Sequence, residues 1–551
     1  MSLPPMDPRW PAGAAANATR EETHFDGRAM RCYTQRWPHL NAMLAQAVRE
    51  HPDAQALVDG DAHWSWRGVH EASGRLAAGL ARRGVRAGDR VVMLMGNRAE
   101  FVLALYALLR LGAVAVPVSI REAAPGVAYI VNQCQARGVL ADAHLTALVP
   151  AQLDNGRALL RVMAAGDAPD DAASAQGWLH ARDIASGAAL ARDAQPDEED
   201  PGVILYTSGT TGRPKGAVLT HFNLVHSVLH YRHALGLTAH DRALLAVPAS
   251  HVTGLVAIIL AMAGVGGCTV VLREFKAAHC LQVLARTRIT YSLMVPAMYA
   301  LCLREPALAR TDLSAWRLAG FGGAPMPPAT IDALRTQCPS IRLFNAYGST
   351  ETTSPTTLTP PASDRVDRVG IALPCAQVRV VDDAGRDVPT GTSGEVWIAG
   401  PMVVPRYWDN PQATADGFTD GYWKSGDLGT LDEHGFLQIH DRKKDMINRG
   451  GYKVFSIEVE NCLMAHPAVQ EAATVGVPCP VLGERVHAFV HAPGATDTDA
   501  LRAELVAQCR AQLADYKVPD AFTWLAEPLP RNANGKVLKR ALRERVTGAV
   551  A

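Results

Sequence analysis

The sequence predicts an α/β chain: a large N-terminal domain of βαβ-type sheets plus a small β-barrel, followed by a small α+β C-terminal domain. Three observations predict it. Apolar runs of strand length alternate with amphipathic helical stretches in the rhythm of right-handed crossovers. From about Val378 the pattern changes to short β segments separated by Gly, Asp and Pro turns. A charged stretch, DRKKD (Asp441–Asp445), then precedes an α+β tail, which divides the chain into residues 1–441 and 442–551.

In chain order, residues 1–30 read as a loosely ordered leader with no apolar signal-peptide segment. Helical patterning begins at Leu40 and is closed by Pro52, and Gln55–Val58 is a short strand. Trp64-Ser65-Trp66 reads as a turn into a helix over Val69–Arg83. Asp89–Met95 is a buried strand, Ala99–Leu111 a helix with Gly112 at its C-cap, and Ala113–Val118 the next strand. An acidic, polar excursion occupies residues 164–200. The rhythm resumes with a helix over Phe222–Leu235, a strand over Ala243–Val247 and a helix over Leu255–Ala263. The β segments Gln377–Asp382, Gly394–Ile398 and Gly435–His440 form the barrel region. The tail carries helices over Ile457–His466 and Thr498–Leu513, strands over Glu471–Val477 and Arg485–His491, and a final basic segment.

Val252–Leu272 is free of charge for 21 residues, long enough to cross a bilayer. Gly264, Gly266 and Gly267 interrupt it, so a buried helix, a turn and a buried strand describe it better. Lys+Arg and Asp+Glu both number 54, so bulk charge favours neither nucleic acid nor an anionic membrane. The ten cysteines are scattered without C-x-x-C spacing, which reads as reduced, buried thiols of a cytoplasmic protein. His226, His230 and His233 share one helix at metal-like spacing but lack a partner at a known motif distance, and read as solvent or core histidines.

One loop concentrates the chemistry. Tyr206–His221, YTSGTTGRPKGAVLTH, follows the buried strand end Ile204-Leu205. Thr207, Ser208, Thr210, Thr211 and Lys215 supply donors, and Gly209, Gly212 and Gly216 allow the backbone a close approach, which is the chemistry of a polyphosphate cradle. It is not a Walker loop, because Gly216 rather than a hydroxyl residue follows the lysine. Asn345–Ser354, NAYGSTETTS, offers Tyr347 for stacking, Gly348 for close approach, a hydroxyl on Thr350 and a carboxylate suited to Mg²⁺ on Glu351. Tyr422–Leu428, YWKSGDL, places Asp427 after a glycine turn at a strand end, able to accept ribose hydroxyls. Arg442–Glu460 follows the strand ending at His440 and contains the Gly450-Gly451 turn, and Pro530–Arg540, PRNANGKVLKR, is a loop carrying Lys536.

In this order and at these separations, the motifs resemble the adenylate-forming superfamily, in particular its acyl-CoA synthetases (fatty-acid and aryl-CoA ligases). The resemblance covers about residue 40 to residue 545. It implies an enzyme that uses ATP, Mg²⁺ and coenzyme A to activate a small-molecule carboxylic acid as acyl-AMP and pass the acyl group to CoA. Alternatives are an adenylating enzyme loading a carrier protein, or a homologue that binds ATP or acyl-AMP without turnover.

The resemblance also assigns residues. Thr207–Lys215 grips the β- and γ-phosphates, and Gly323-Ala324-Pro325 lies along the adenine. Tyr347 and Gly348 line the base, Thr350 meets the α-phosphate and Glu351 holds Mg²⁺. Asp427 and Arg442 clamp the nucleotide, Lys444 is the hinge of a mobile C-terminal domain, and Gly450-Gly451 faces the pantetheine arm. Lys536 is the catalytic lysine, acting with Thr350 and Glu351. His251, Val252 and Met294 belong to the acyl pocket. Amino-acid-activating relatives usually carry an aspartate where this chain has Ala249-Ser250-His251, which favours an acid without an α-amino group and leaves fatty, aryl and alicyclic acids open. Ser119–Arg121 departs from the usual Asn-x-Arg. A homodimer stays open.

Overall fold

Strands that run parallel need a crossover of a dozen or more residues between them, and the helices of this chain supply it. The computed structural model describes residues 7–10, 18–25, 27–164, 177–207, 213–495, 498–531 and 536–547. Residues 1–378 with 398–423 form one compact unit, and residues 379–397 with 424–551 form another.

The first unit holds a seven-stranded and a nine-stranded mixed sheet. In the smaller, β1 (Arg90–Leu94) runs parallel to β2 (Val114–Pro117), and β2 to β3 (Pro201–Thr207). The chain then reverses, so that β4 (Lys215–Thr220) pairs antiparallel with β3 and Thr207 faces Lys215. Thr220 and Asn223 cap α1 (His221–Leu235) reciprocally, each side chain accepting the other's backbone N–H. In the larger sheet, β5 (Arg242–Leu245), β6 (Tyr291–Met294), β7 (Leu318–Gly322) and β8 (Arg342–Ser349) are consecutive parallel neighbours, followed by antiparallel β9 (Ser354–Leu358). Leu244, Met294, Tyr299, Phe321 and Leu343 form a core against one face.

In the second unit, β10 (Tyr422–Leu431) pairs antiparallel with β11 (Leu437–Arg442). A tight hairpin joins β12 (Ile447–Arg449) to β13 (Tyr452–Val454). The helix α2 (Ser456–Met464), the antiparallel pair β14 (Glu471–Cys479) and β15 (Gly483–His491), and α3 (Thr498–Gln512) enclose a core that includes Val459, Leu463, Val486, Val490 and Leu505. The basic end of the chain is a helix, α4 (Lys539–Thr547).

Several expectations are corrected. The leader contains a β-hairpin, Thr19–His24 with Arg28–Tyr33. Its second strand buries Met30 and Cys32 against Phe222, and charge ties the first strand: Arg36 forks onto Glu22, which also accepts from Arg20. Ala62–Ser65 is a strand, and the helix expected at Val69 begins at Trp66 because the Ser65 hydroxyl caps it. The helix expected at Leu255–Ala263 is a π-helix over Thr253–Leu260 that continues as an α-helix over Ala261–Val265, and Cys268–Val271 then forms the expected strand. The strand expected to end at His440 runs through Arg442, and Asp427 lies within a strand rather than at the end of one. Among the described residues no helix is long and apolar enough to cross a membrane. All ten cysteines are buried free thiols. His226 and His230 are core histidines with no solvent exposure, while His233 is half-buried.

Candidate active site

In the first unit the candidate residues emerge from one edge. β5 leads to His251, β6 ends at Met294, β7 leads to Gly323-Ala324-Pro325, and β8 leads to Tyr347–Glu351. These are the carboxyl ends of four adjacent parallel strands, where open α/β sheets form ligand crevices. Gly322 is required there, because a Cβ would lie 2.3 Å from the Ala346 carbonyl oxygen. Gly348 is tighter still: a Cβ would stand 1.8 Å from the Ser354 carbonyl oxygen. Beyond it the backbone folds back sharply, with Thr353 at φ +50° and Ser354 at φ +85°. Hydrogen bonds hold this turn, among them those from the Ser349 N–H to Thr352 Oγ1 at 2.9 Å and from the Thr353 N–H to the Thr350 carbonyl at 3.0 Å. The Ser354 hydroxyl is anchored on Tyr231 of α1 at 2.7 Å.

Glu351 is the meeting point. Its side chain is 8% exposed, and Oε1 accepts from Tyr407 Oη at 2.9 Å and lies 3.3 Å from the Thr207 hydroxyl. The β3–β4 hairpin therefore delivers Thr207, at the edge of the loop read from sequence as a phosphate cradle, to the carboxylate. The Lys215 ammonium stands 5.3 Å from the centre of the Tyr407 ring, within range of a cation–π attraction. Burial, then the adjacent Glu351 charge, pushes the Tyr407 phenol well above its ordinary range, which keeps it a donor. Tyr407 carries no motif signal in the sequence. It lies 56 residues from Glu351, and only the fold joins them.

This pairing brings together Thr207, Lys215 and Glu351. Tyr347 and Thr350 are half-buried beside them in sequence, and Gly323, Ala324 and Pro325 are exposed on the neighbouring strand end. Ser208, Gly209, Thr210, Thr211 and Gly212 lie outside the described residues. His251 is half-buried and its Nδ1 faces the Thr253 N–H at 3.4 Å, whereas Val252 is buried and Met294 sits inside the core.

In the second unit Asp427 and Arg442 face each other across β10 and β11, with Arg442 Nε 3.8 Å from Asp427 Oδ1. Ser425 orients Asp427 by accepting its N–H at 3.0 Å. Lys444 is exposed two residues beyond. Gly450 and Gly451 form the two-residue loop of the β12–β13 hairpin, at φ +60° and +88°, a geometry that glycine pairs adopt most readily. Lys536 is exposed, next to a bridge between Arg531 and Val537.

Residues 44–408 match the model of the AMP-binding enzymes, and residues 458–536 match the model of the AMP-binding enzyme C-terminal domain. The chain belongs to the AMP-binding enzymes, as an adenylate-forming enzyme of acyl-CoA synthetase type. It is 32% identical over 521 residues to the long-chain-fatty-acid–CoA ligase FadD13 of Mycobacterium tuberculosis, covering 93% of this chain and 99% of that relative. It is 33% identical over 519 residues to the fatty acid–[acyl-carrier-protein] ligase ScoC of Streptomyces coeruleorubidus, covering 91% and 95%. Among solved structures it resembles the o-succinylbenzoate coenzyme A synthetase of Bacillus subtilis in complex with ATP and magnesium ion, with a TM-score of 0.79 at 28% identity, covering 91% and 98%. The AMP-binding match thus spans every candidate residue from Thr207 to Glu351 and includes Tyr407.

Proposed function

We propose that this AMP-binding enzyme is an ATP-dependent acid–thiol ligase that converts a fatty, aryl or alicyclic carboxylic acid to acyl-AMP and pyrophosphate, then transfers the acyl group to CoA. The observation that carries the reading is the convergence of Thr207 and Tyr407 on the buried Glu351 carboxylate, with the Lys215 ammonium over the ring of that tyrosine. A hydroxyl, an ammonium and a carboxylate at the end of a phosphate-type loop are the groups a magnesium nucleotide needs. Glu351 fits Mg²⁺ because it is a buried hard-oxygen ligand. When bound there, the ion would neutralise triphosphate charge.

A carboxylate is a weak nucleophile with the same charge sign as the phosphate it attacks, so positioning and cationic charge must supply most of the rate. Thr207 and Lys215, with the loop through Ser208–Gly212, hold the β- and γ-phosphates. Thr350 meets the α-phosphate, Tyr347 and Gly323–Pro325 flank the base, and Asp427 with Arg442 takes the ribose. Lys536 joins the substrate carboxylate to the α-phosphate. Residues 1–441 act as the adenylating domain, and residues 442–551 turn about Lys444 to exchange Lys536 for the Gly450-Gly451 side, where the thiol arrives. His251, Val252 and Met294 bound the acyl group. Ten buried free thiols support a cytoplasmic setting.

The test is pyrophosphate release from ATP with acetate, hexanoate, dodecanoate, benzoate and 4-coumarate, each with and without CoA. Release with CoA-thioester formation is expected. Release without thioester would favour a carrier-protein acceptor, and no release with any acid would sink the reading.

A further inference from the structure

Three charged side chains in the second unit take no part in the roles above: Asp441, which is buried, and Glu460 and Lys539, which are half-buried. Asp441 is the penultimate residue of β11, next to Arg442, and is 1% exposed. Its Oδ2 accepts both the N–H and the hydroxyl of Ser456, the latter at 2.7 Å. The same hydroxyl accepts from the Lys539 ammonium at 2.5 Å. That ammonium also meets Glu460 Oε1 at 2.6 Å, and Glu460 Oε1 in turn accepts the Thr474 N–H at 2.7 Å. The donors and acceptors run consistently from one end to the other: Asp441 accepts from Ser456, Ser456 from Lys539, and Glu460 from both Lys539 and Thr474.

The two ends of this chain are informative. Asp441 is the residue before Arg442 and lies three before Lys444. Lys539 is the first residue of α4 and lies three after Lys536. Residues 529–531 and 537–538, which flank Lys536 in the sequence, are held as well. Arg531 bridges to Val537, the Leu538 N–H donates to the Pro530 carbonyl at 2.8 Å, and the Arg531 guanidinium meets Glu471 of β14 at 3.0 Å. The Leu529 N–H donates to the same Glu471 carboxylate at 2.8 Å.

We infer that Lys539 is a positioning residue for Lys536: by gripping Ser456 and Glu460 it ties residues 536–539 to the start of α2 and, through Asp441, to the strand end that leads into the hinge. Lys536 then moves with the hinge segment as one piece. A misplacement on the order of 1 Å at a reacting centre can cost ~10²-fold in rate, so an anchor three residues away has leverage. The grip requires a cation with at least two directed donors, which arginine supplies and glutamine does not.

The inference rests on Lys536 serving adenylation, and the experiment separates the two. In the full-length enzyme, Lys539→Gln, Lys539→Arg and Lys536→Ala are compared with the panel acid of highest rate, measuring acyl-adenylate formation, thioester formation from the supplied acyl-adenylate, and melting temperature. Lys539→Gln is expected to lower adenylation kcat by ~10–10²-fold, with KM for ATP unchanged and the thioester step intact, and Lys539→Arg to restore most of the rate. Equal loss of both half-reactions, an unchanged adenylation rate, or arginine performing no better than glutamine would overturn it. If Lys536→Ala also spares adenylation, the functional reading fails instead. Should Lys539→Gln not fold, Ser456→Ala, which keeps the Lys539–Glu460 pair, serves with the same outcomes.

Discussion

Tyr407 donates its hydroxyl to Glu351 Oε1 across 2.9 Å, from a segment 56 residues away in the chain. The Thr207 hydroxyl stands 3.3 Å from the same oxygen. The carboxylate proposed to hold Mg²⁺ is thus aimed by a tyrosine outside the motifs read from the sequence. A neutral donor on a charged acceptor contributes about 1.5–3 kcal/mol. Tyr407→Phe should therefore lower adenylation by roughly 10–10²-fold and raise the Mg²⁺ concentration needed for half-maximal rate. Titration of pyrophosphate release with Mg²⁺ checks it, and an unchanged Mg²⁺ requirement would separate Tyr407 from the metal.

Lys536→Ala should reduce adenylation by at least ~10²–10³-fold, the scale of a lost charge-stabilising donor. It should leave conversion of a supplied acyl-adenylate to thioester near the wild-type rate. Single-turnover measurement of each half-reaction decides between this outcome and a general loss.

Gly348→Ala places a methyl group 1.8 Å from the Ser354 carbonyl oxygen, so the turn must open. Overpacking of this kind costs about 1–3 kcal/mol. The melting temperature should fall by several degrees, about 2–4 °C per kcal/mol on the scale of a large domain, with adenylation falling alongside. Gly323→Ala, where φ is +76° but a Cβ would meet nothing within 4 Å, should cost less.

Stability should decline in mild acid. Burial holds the imidazoles of His221 and His226 down at about 3 in the folded protein, against ~6.5 in an unfolded chain. The unfolded state therefore binds more protons between these values, and stability drops as pH falls from about 6.5 toward 3, by up to ~1.4 kcal/mol per pH unit for each histidine. Above pH 6.5 neither contributes a slope. Denaturant midpoints between pH 7 and pH 4.5 check this, with His226→Phe expected to flatten the decline.

The parallel strands of the large unit and the α+β pattern of the tail were legible because apolar runs and helical faces have distinct periods. The motifs were legible as those of the AMP-binding enzymes because their residue types and order are restrictive. What escaped depends on contacts distant in sequence. TREETH (Thr19–His24) has no apolar alternation, and its hairpin is held by partners far along the chain: Met30 and Cys32 pack on Phe222, and Arg36 meets Glu198. TGLVAIIL reads as a helix, but apolar content alone does not reveal a widened π turn. RKKD reads as a loop beyond the strand, whereas the register partner of Arg442, Asp427, keeps it in the ladder. Tyr407 and Lys539 acquire partners only through folding.

The left-handed pair Thr353-Ser354, just after Glu351, bears on how far this enzyme can be made heat-resistant. Residues other than glycine or asparagine rarely settle in that region, and each such position costs of order 1–3 kcal/mol. Replacement of Thr353 by glycine relieves that local penalty while slackening the turn that fixes Glu351. A library screened only for survival on heating would collect such relaxed variants and lose turnover. One screened for turnover would retain the contorted pair, and robustness would then have to come from surfaces remote from this turn.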